Sequence, residues 1–119
     1  MKNFDNVIDI DEAKVKSLIE LGDGDPSFLK DLTEIFKERV PELKDDLEKA
    51  LAASDAERVE KLAHALKGTC GNLGAERMMK ICEHLEICGR SGDIANLQDY
   101  LVQIEQSFSK VTVALDRVS

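Results

Sequence analysis

The chain has 119 residues and a formal net charge of −8, from 24 acidic and 16 basic side chains. This length suits one domain, spanning 1–119, that buries its own core without disulfides or metals. The acidic balance predicts that nucleic acid and anionic membranes are not partners, and no apolar run is long enough to span a membrane. Without an apolar signal segment at its start, and with an odd count of three cysteines, the chain is expected to be cytoplasmic with reduced thiols.

Helical periodicity dominates the sequence, and its first half predicts two helices. Asp9 or Asp11 can cap a short first helix, which the turn 22–25 ends. Asp25 and Pro26 then open a second helix. Its apolar spacing continues past Pro41, which predicts one bent helix rather than two.

The second half predicts three more helices. The third begins after Ser54 and Asp55 and ends at 72–74, and the fourth runs from about 75 to 88. A turn at 89–92 follows, and Asp93 can cap the last helix. Four long amphipathic helices with short connections predict an all-α fold, an antiparallel four-helix bundle with a short additional N-terminal helix.

His64 is the candidate functional residue, because it lies roughly 150° from the centre of the third helix's apolar stripe, on the solvent side. Lys67 and Gly68 lie one turn further along the helix, and Gly71, seven residues on, falls almost directly above His64. A glycine inside a helix costs about 1 kcal/mol relative to alanine. We interpret Gly68 and Gly71 as a bare strip of backbone that lets another macromolecule approach the ring. The alternative is a surface histidine beside a frayed helix end.

The segment from His64 to Ala75, continuing to Cys82, Leu85 and Glu86, resembles the histidine-containing phosphotransfer (HPt) family. The family pattern is H-x-L-K-G followed after five residues by G-A, and it is matched at six positions within twelve residues: His64, Leu66, Lys67, Gly68, Gly74 and Ala75. The resemblance implies a helical bundle of this same architecture. It also implies a histidine phosphotransfer protein of a two-component phosphorelay.

In that reading, His64 accepts a phosphoryl group from the aspartate of a response-regulator receiver domain and passes it to another receiver. An imidazole of ordinary pKa, about 6.5, is a largely neutral nucleophile at cell pH, and Lys67 is placed to stabilise phosphoryl charge. The chain lacks a phosphate-binding loop for ATP, so we expect a carrier without its own kinase activity. Resemblance implies no cofactor of its own, with Mg²⁺ supplied by the receiver. The alternative function is a non-catalytic helical adaptor that docks a receiver domain.

The partner surface is predicted from residues around His64. Receiver domains, including those of hybrid sensor kinases, are the expected partners, and the chain is expected to be a monomer. Five residues are predicted to contact the partner: Gly68, Gly71, Lys61, Glu60 and Glu57. Lys61 has a second interpretation, as a surface lysine paired with Glu57 or Glu60 on its own helix.

The other histidine, His84, lacks a Lys-Gly companion and is a poor phosphoryl acceptor. His84 and Cys88 are one turn apart, but Cys82 points elsewhere and no C-x-x-C pair exists, so no metal site is predicted. A di-iron bundle would need inward Glu-x-x-His pairs, and the sequence has none in register. Cys70 and Cys82 are expected to be small core residues.

Overall fold

The computed structural model describes residues 2–118, which form five helices and, over that range, no strand. The helices are α1 (Glu12–Leu21), α2 (Ser27–Ala52), α3 (Ala56–Gly71), α4 (Glu76–Ser91) and α5 (Gln98–Val118). The last four pack in a closed ring, since α2 contacts α3 and α5, and α4 contacts α3 and α5. The predicted all-α bundle with an additional N-terminal helix is confirmed.

The core forms where the apolar stripes of the four long helices meet. Each long helix contributes side chains that are at most 1% exposed: Phe36, Leu47, Leu66, Ile81, Leu85, Ile104 and Leu115. Burial of one such side chain stabilises the fold by about 1.5–3 kcal/mol. In α3 the buried residues lie two on either side of His64: Val59, Ala63, Leu66 and Cys70. The core therefore fixes the rotation of α3 about its axis and leaves His64 outside.

The helix α1 covers the end of the bundle at the α3–α4 connection. Asp11 caps α1, because its Oδ1 accepts from the backbone N–H groups of Ala13 at 3.1 Å and Lys14 at 3.2 Å. The Asp11 N–H donates to the Gly74 carbonyl at 2.7 Å. Gly74 has φ +75°, and an added Cβ would lie 3.1 Å from the Asp11 carbonyl oxygen, so both conformation and space require glycine.

The helix α2 runs without a break through Pro41, as its apolar spacing predicts. It begins at Ser27, one residue later than predicted. The Asp25 carboxylate still serves the helix start, since its Oδ1 accepts from the Ser27 N–H at 3.0 Å.

Two predicted boundaries near the other end of the bundle are wrong. Gly89 and Arg90 belong to α4, which ends at Ser91 with Gly92 as its C-cap at φ +84°, whereas the sequence predicts a turn from residue 89. The last helix begins at Gln98 instead of Asp93, after a turn in which Asn96 has φ +61°. Gly89 allows two helices to pack closely, but a glycine is also the usual sequence signal for a turn. The sequence alone therefore could not separate these two roles.

At Gly89, α4 approaches the backbone of α3 closely. A Cβ built there would lie 2.6 Å from the Glu60 backbone nitrogen, 2.8 Å from its Cα and 3.0 Å from the Ala56 carbonyl oxygen. All three atoms are backbone and cannot rotate away. Without a side chain at 89, α4 lies directly against α3, one turn beyond Glu86.

Overpacking in Gly89→Ala costs about 1–3 kcal/mol, and contact with backbone atoms that cannot rotate away places the variant in the upper part of that range. After the helix-propensity gain of about 1 kcal/mol that alanine brings, we expect the free energy of unfolding to fall by about 1–2 kcal/mol. Gly68→Ala is the matched control, since a Cβ at Gly68 meets nothing within 4 Å and should stabilise the helix. Urea denaturation measures both variants, and equal stabilisation by the two would contradict the close approach at Gly89.

Candidate functional site

His64 lies in the middle of α3 with its side chain 69% exposed. The neighbouring Ala63 and Leu66 are fully buried on the opposite side of the helix, which sets the direction of the ring. Any partner that reaches α3 from solvent therefore meets this imidazole. Exposure alone would make His64 an ordinary surface histidine. Its contact with a side chain of the neighbouring helix α4 distinguishes it.

Glu86 of α4 is buried at 6% exposure and holds two side chains of α3. Its Oε2 lies 2.5 Å from His64 Nδ1, and its Oε1 lies 2.5 Å from Lys67 Nζ. An ionised carboxylate only accepts hydrogen bonds, so Nδ1 carries the proton and donates it. This fixes the tautomer of His64 and leaves Nε2, with its lone pair, as the nitrogen available to a partner.

The charge of Glu86 follows from these contacts. The hydrogen bond from Lys67 lowers the pKa of the Glu86 carboxyl, burial opposes that shift, and the His64 hydrogen bond lowers the pKa further. The net pKa lies below its ordinary value. Glu86 is therefore an anion at neutral pH, in contact with a cation on one oxygen and a polar N–H on the other.

Because the folded-state pKa of Glu86 is depressed, ionised Glu86 contributes stability above its unfolded pKa of about 4.3, and that contribution is lost as the pH falls through the folded pKa. We expect unfolding free energy to decline over this acid window more steeply in the wild type than in Glu86→Gln. Denaturation at a series of pH values measures the slopes. Identical slopes would show that Glu86 carries no special ionic stabilisation.

Arg90 lies one turn beyond Glu86 and extends the network to α3. Its Nε donates to Glu60 Oε2 at 2.8 Å, and its Nη2 lies 3.8 Å from Glu86 Oε2. The Arg90 side chain is 63% exposed, so this arm of the network faces solvent. Glu60, predicted as a partner contact, is thus engaged by a cation of α4.

Lys61 pairs with Glu57 at 3.1 Å, and both side chains are more than 70% exposed. This contact matches the surface-lysine interpretation, and exposed pairs of this kind contribute little stability. Lys61 also borders an open depression together with Glu60, His64 and Glu86. The ring is therefore rimmed by charges of both signs.

The two glycines near His64 differ. An added Cβ at Gly68 would meet nothing within 4 Å, and Gly68 is exposed. At Gly71, a Cβ would lie 3.2 Å from Met79 Sδ, and the residue is half-buried. The backbone at Gly68 is thus open, whereas the missing side chain at Gly71 faces Met79 of α4; contact with a partner stays a prediction at both positions.

The second histidine has a different environment. The His84 ring packs on Tyr100 at 5.1 Å between centroids, its Nε2 lies 3.6 Å from Cys88 Sγ, and burial lowers its pKa. Cys70 and Cys82 are fully buried, as expected of core residues. Among residues 2–118, no three metal-ligating side chains come together in a cluster.

Glu86 and Arg90 are site residues to which the sequence alone assigned no role. A signal for Glu86 was present: Met78, Cys82 and Glu86 follow at intervals of four along α4, and the first two are fully buried. A carboxylate on an apolar stripe must find cationic or N–H partners, because a buried unpaired charge is costly. The apolar stripe could not show which α3 side chains supply these cationic and N–H partners.

The bundle presents an exposed imidazole to solvent. A buried carboxylate binds the inner nitrogen of that ring, and a lysine and an open glycine flank it. These features define a histidine-bearing helical domain. The family model of the Hpt domain matches residues 31–114 of this chain. The chain therefore belongs to the Hpt domain family, the histidine phosphotransfer domains of two-component phosphorelays.

Curated relatives include fungal phosphorelay proteins. The chain is 35% identical over 81 residues to multistep phosphorelay regulator 1 of Schizosaccharomyces pombe, covering 67% of this chain and 28% of that protein. It is 25% identical over 109 residues to the phosphorelay intermediate protein YPD1 of Candida albicans, covering 90% of this chain and 59% of that protein. The chain thus spans only part of the length of these relatives.

Two solved structures share the fold. Histidine-containing phosphotransfer protein B of Pseudomonas aeruginosa superposes with a TM-score of 0.75 at 28% identity, over 92% of each chain. The histidine-containing phosphotransfer domain of ArcB from Escherichia coli has the same TM-score, 0.75, at 17% identity over 92% of this chain and 95% of that one. No helix among the described residues is long and apolar enough to cross a membrane.

Proposed function

We propose that this chain is a phosphoryl carrier of a two-component phosphorelay, in which His64 accepts the phosphoryl group of a receiver-domain aspartate and donates it to a second receiver. The observation that carries the proposal is the exposed His64 ring, held at Nδ1 by the buried Glu86. Membership of the Hpt domain family and the likeness to phosphorelay proteins support it.

The chemistry follows from the tautomer. With Nδ1–H donated to Glu86, Nε2 of His64 attacks the phosphorus of an aspartyl phosphate in line with the bond to the carboxylate oxygen. The P–Nε2 bond forms, the P–O bond breaks, and its electron pair returns to the aspartate as a carboxylate. Phosphoryl transfer of this kind needs positioning and positive charge near the oxygens more than covalent help, and Lys67, bound to the same carboxylate as His64, can supply that charge.

Transfer onward is the reverse displacement on another receiver. No ATP is consumed in either direction, so the proposal requires neither a nucleotide site nor kinase activity from this chain. Mg²⁺ would come from the acidic site of the receiver, and no cofactor is assigned to the carrier. Gly68, Gly71, Lys61, Glu60 and Glu57 stay predicted partner contacts around the ring.

The function is tested by incubating the purified chain with one receiver domain phosphorylated on aspartate, then adding a second receiver. We expect label to move first to the chain, as an acid-labile and alkali-stable phosphate, and then to the second receiver. A folded chain that binds receivers but takes no label from any of them would instead support the adaptor function. In that case the carrier proposal would fail.

The open surface at Gly68 has its own test. Gly68→Gln places a long side chain where a Cβ meets nothing within 4 Å, so the fold should survive while the approach of a receiver is blocked. We expect transfer to slow at least tenfold with an unchanged circular dichroism spectrum. Gly68→Ala is the size control and should transfer almost normally. Normal transfer by Gly68→Gln would contradict the role of Gly68 as open backbone for docking.

A further inference from the structure

The Glu86 carboxylate has two partners in the structure, and they are of different kinds. Lys67 Nζ is an ammonium group on Oε1, and the His64 ring donates from Nδ1 to Oε2. In this resting state Lys67 is the main counter-ion of a buried anion. Arg90 stands further off, at 3.8 Å, and is already bonded to Glu60.

A phosphoryl group on Nε2 changes this balance, because it brings about two negative charges beside the same cluster. The charged groups that face or border the ring are Glu60, Lys61 and Lys67 on α3 and Glu86 and Arg90 on α4. Lys61 is paired with Glu57 and Arg90 with Glu60. Lys67 is thus attracted both by the phosphoryl oxygens and by Glu86, and a new cation in direct contact with Glu86 resolves the conflict.

We propose, as a deepening of the proposed function on which it rests, that phosphorylation of His64 transfers Glu86 from Lys67 to a protonated imidazole, so that Glu86 holds the phosphohistidine in its reactive cationic form while Lys67 moves to the phosphoryl group. Glu86 in this role is a positioning residue that acts through the ring.

The bonds balance without a further reactant. When Nε2 bonds to phosphorus, the ring keeps its Nδ1–H and becomes a cation. When the P–Nε2 bond of this cation breaks, its electron pair returns to Nε2. The departing group is then neutral imidazole. If Nδ1 has lost its proton, the departing group is imidazolate, which leaves far less readily. A carboxylate in contact with Nδ1–H favours the cation, whereas a neutral amide does not.

The experiment measures protonation of the phosphorylated ring directly. The ¹⁵N-labelled wild type, Glu86→Gln and the matched control Glu83→Gln, an exposed carboxylate on the same helix, are phosphorylated with potassium phosphoramidate. Ring ¹⁵N shifts of phospho-His64, assigned against His64→Gln, are then followed over pH. We expect the Nδ1 midpoint of the wild type and Glu83→Gln to lie at least one pH unit above that of Glu86→Gln.

The difference in Nδ1 midpoint should also change the rate of phosphoryl transfer. Above both midpoints, phosphoryl transfer from Glu86→Gln to a receiver should be about tenfold slower than from the wild type, because tenfold fewer rings carry the proton. Equal midpoints in the wild type and Glu86→Gln would overturn the inference. Because the small-molecule donor bypasses receivers, a shifted midpoint with no transfer to any receiver would count against the proposed function alone.

Lys67→Met keeps the inference testable if Glu86→Gln folds poorly. It retains the carboxylate and removes the competing cation, so its Nδ1 midpoint should equal or exceed that of the wild type. A midpoint lowered in Lys67→Met would contradict the transfer of Glu86 to the ring.

Discussion

His64→Gln is expected to abolish phosphoryl acceptance, with no label above background, since Gln offers no nucleophilic ring nitrogen. The position is exposed, and Gln retains an amide N–H that can reach Glu86, so the fold should be retained. The measurement is transfer from a phosphorylated receiver, with unfolding by urea as the check on structure. The expected loss is complete because no second nucleophile lies within the cluster.

His84→Gln is the matched control for this prediction. His84 lies beside Tyr100 and Cys88, away from the Glu86 network, and its replacement should leave labelling at the wild-type level. Label that survives in His64→Gln and disappears in His84→Gln would overturn the assignment of the phosphorylated residue.

Lys67→Met is the prediction with the next largest effect. We expect the transfer rate to fall by about 10²-fold or more, the usual result of removing a group that stabilises charge in a transition state. Stability should fall as well, by as much as about 3 kcal/mol, because the buried Glu86 loses the cation on Oε1. Rapid-quench transfer assays and denaturation curves measure the two effects separately.

The double variant Lys67→Met with Glu86→Gln separates the two roles of Lys67. Removing the buried charge along with its partner should restore most of the lost stability. The transfer rate should stay low, because the phosphoryl oxygens still lack their cation. If the double variant recovered both stability and rate, Lys67 would be a structural partner of Glu86 and no more.

Periodicity predicted the helices well, because each long helix buries one stripe and the stripe fixes the exposed face. His64 could be placed in solvent and beside Lys67 on that basis alone. The same method failed at Gly89, where a glycine indicates a turn. There the missing side chain makes room for the Glu60 backbone of α3, and a single sequence does not record which helix faces which.

The contact between Glu86 and His64 could not be predicted for a related reason. It joins residues 22 positions apart, across two helices whose separation is set by Gly89. The sequence shows a carboxylate on the apolar stripe of α4, but the partner depends on the register between α3 and α4. The close packing of α4 on the α3 backbone at Gly89 contributes to that register, and no periodicity describes it.

The position of phosphorus on the ring tests the central claim most directly. ³¹P–¹⁵N correlation on the chain phosphorylated by a receiver identifies both the histidine and the nitrogen that carries the group. The contact between Glu86 and Nδ1 predicts phosphorus on Nε2 of His64, with the proton retained on Nδ1. Phosphorus on Nδ1 of His64, or on His84, would contradict the account of how Glu86 prepares the ring.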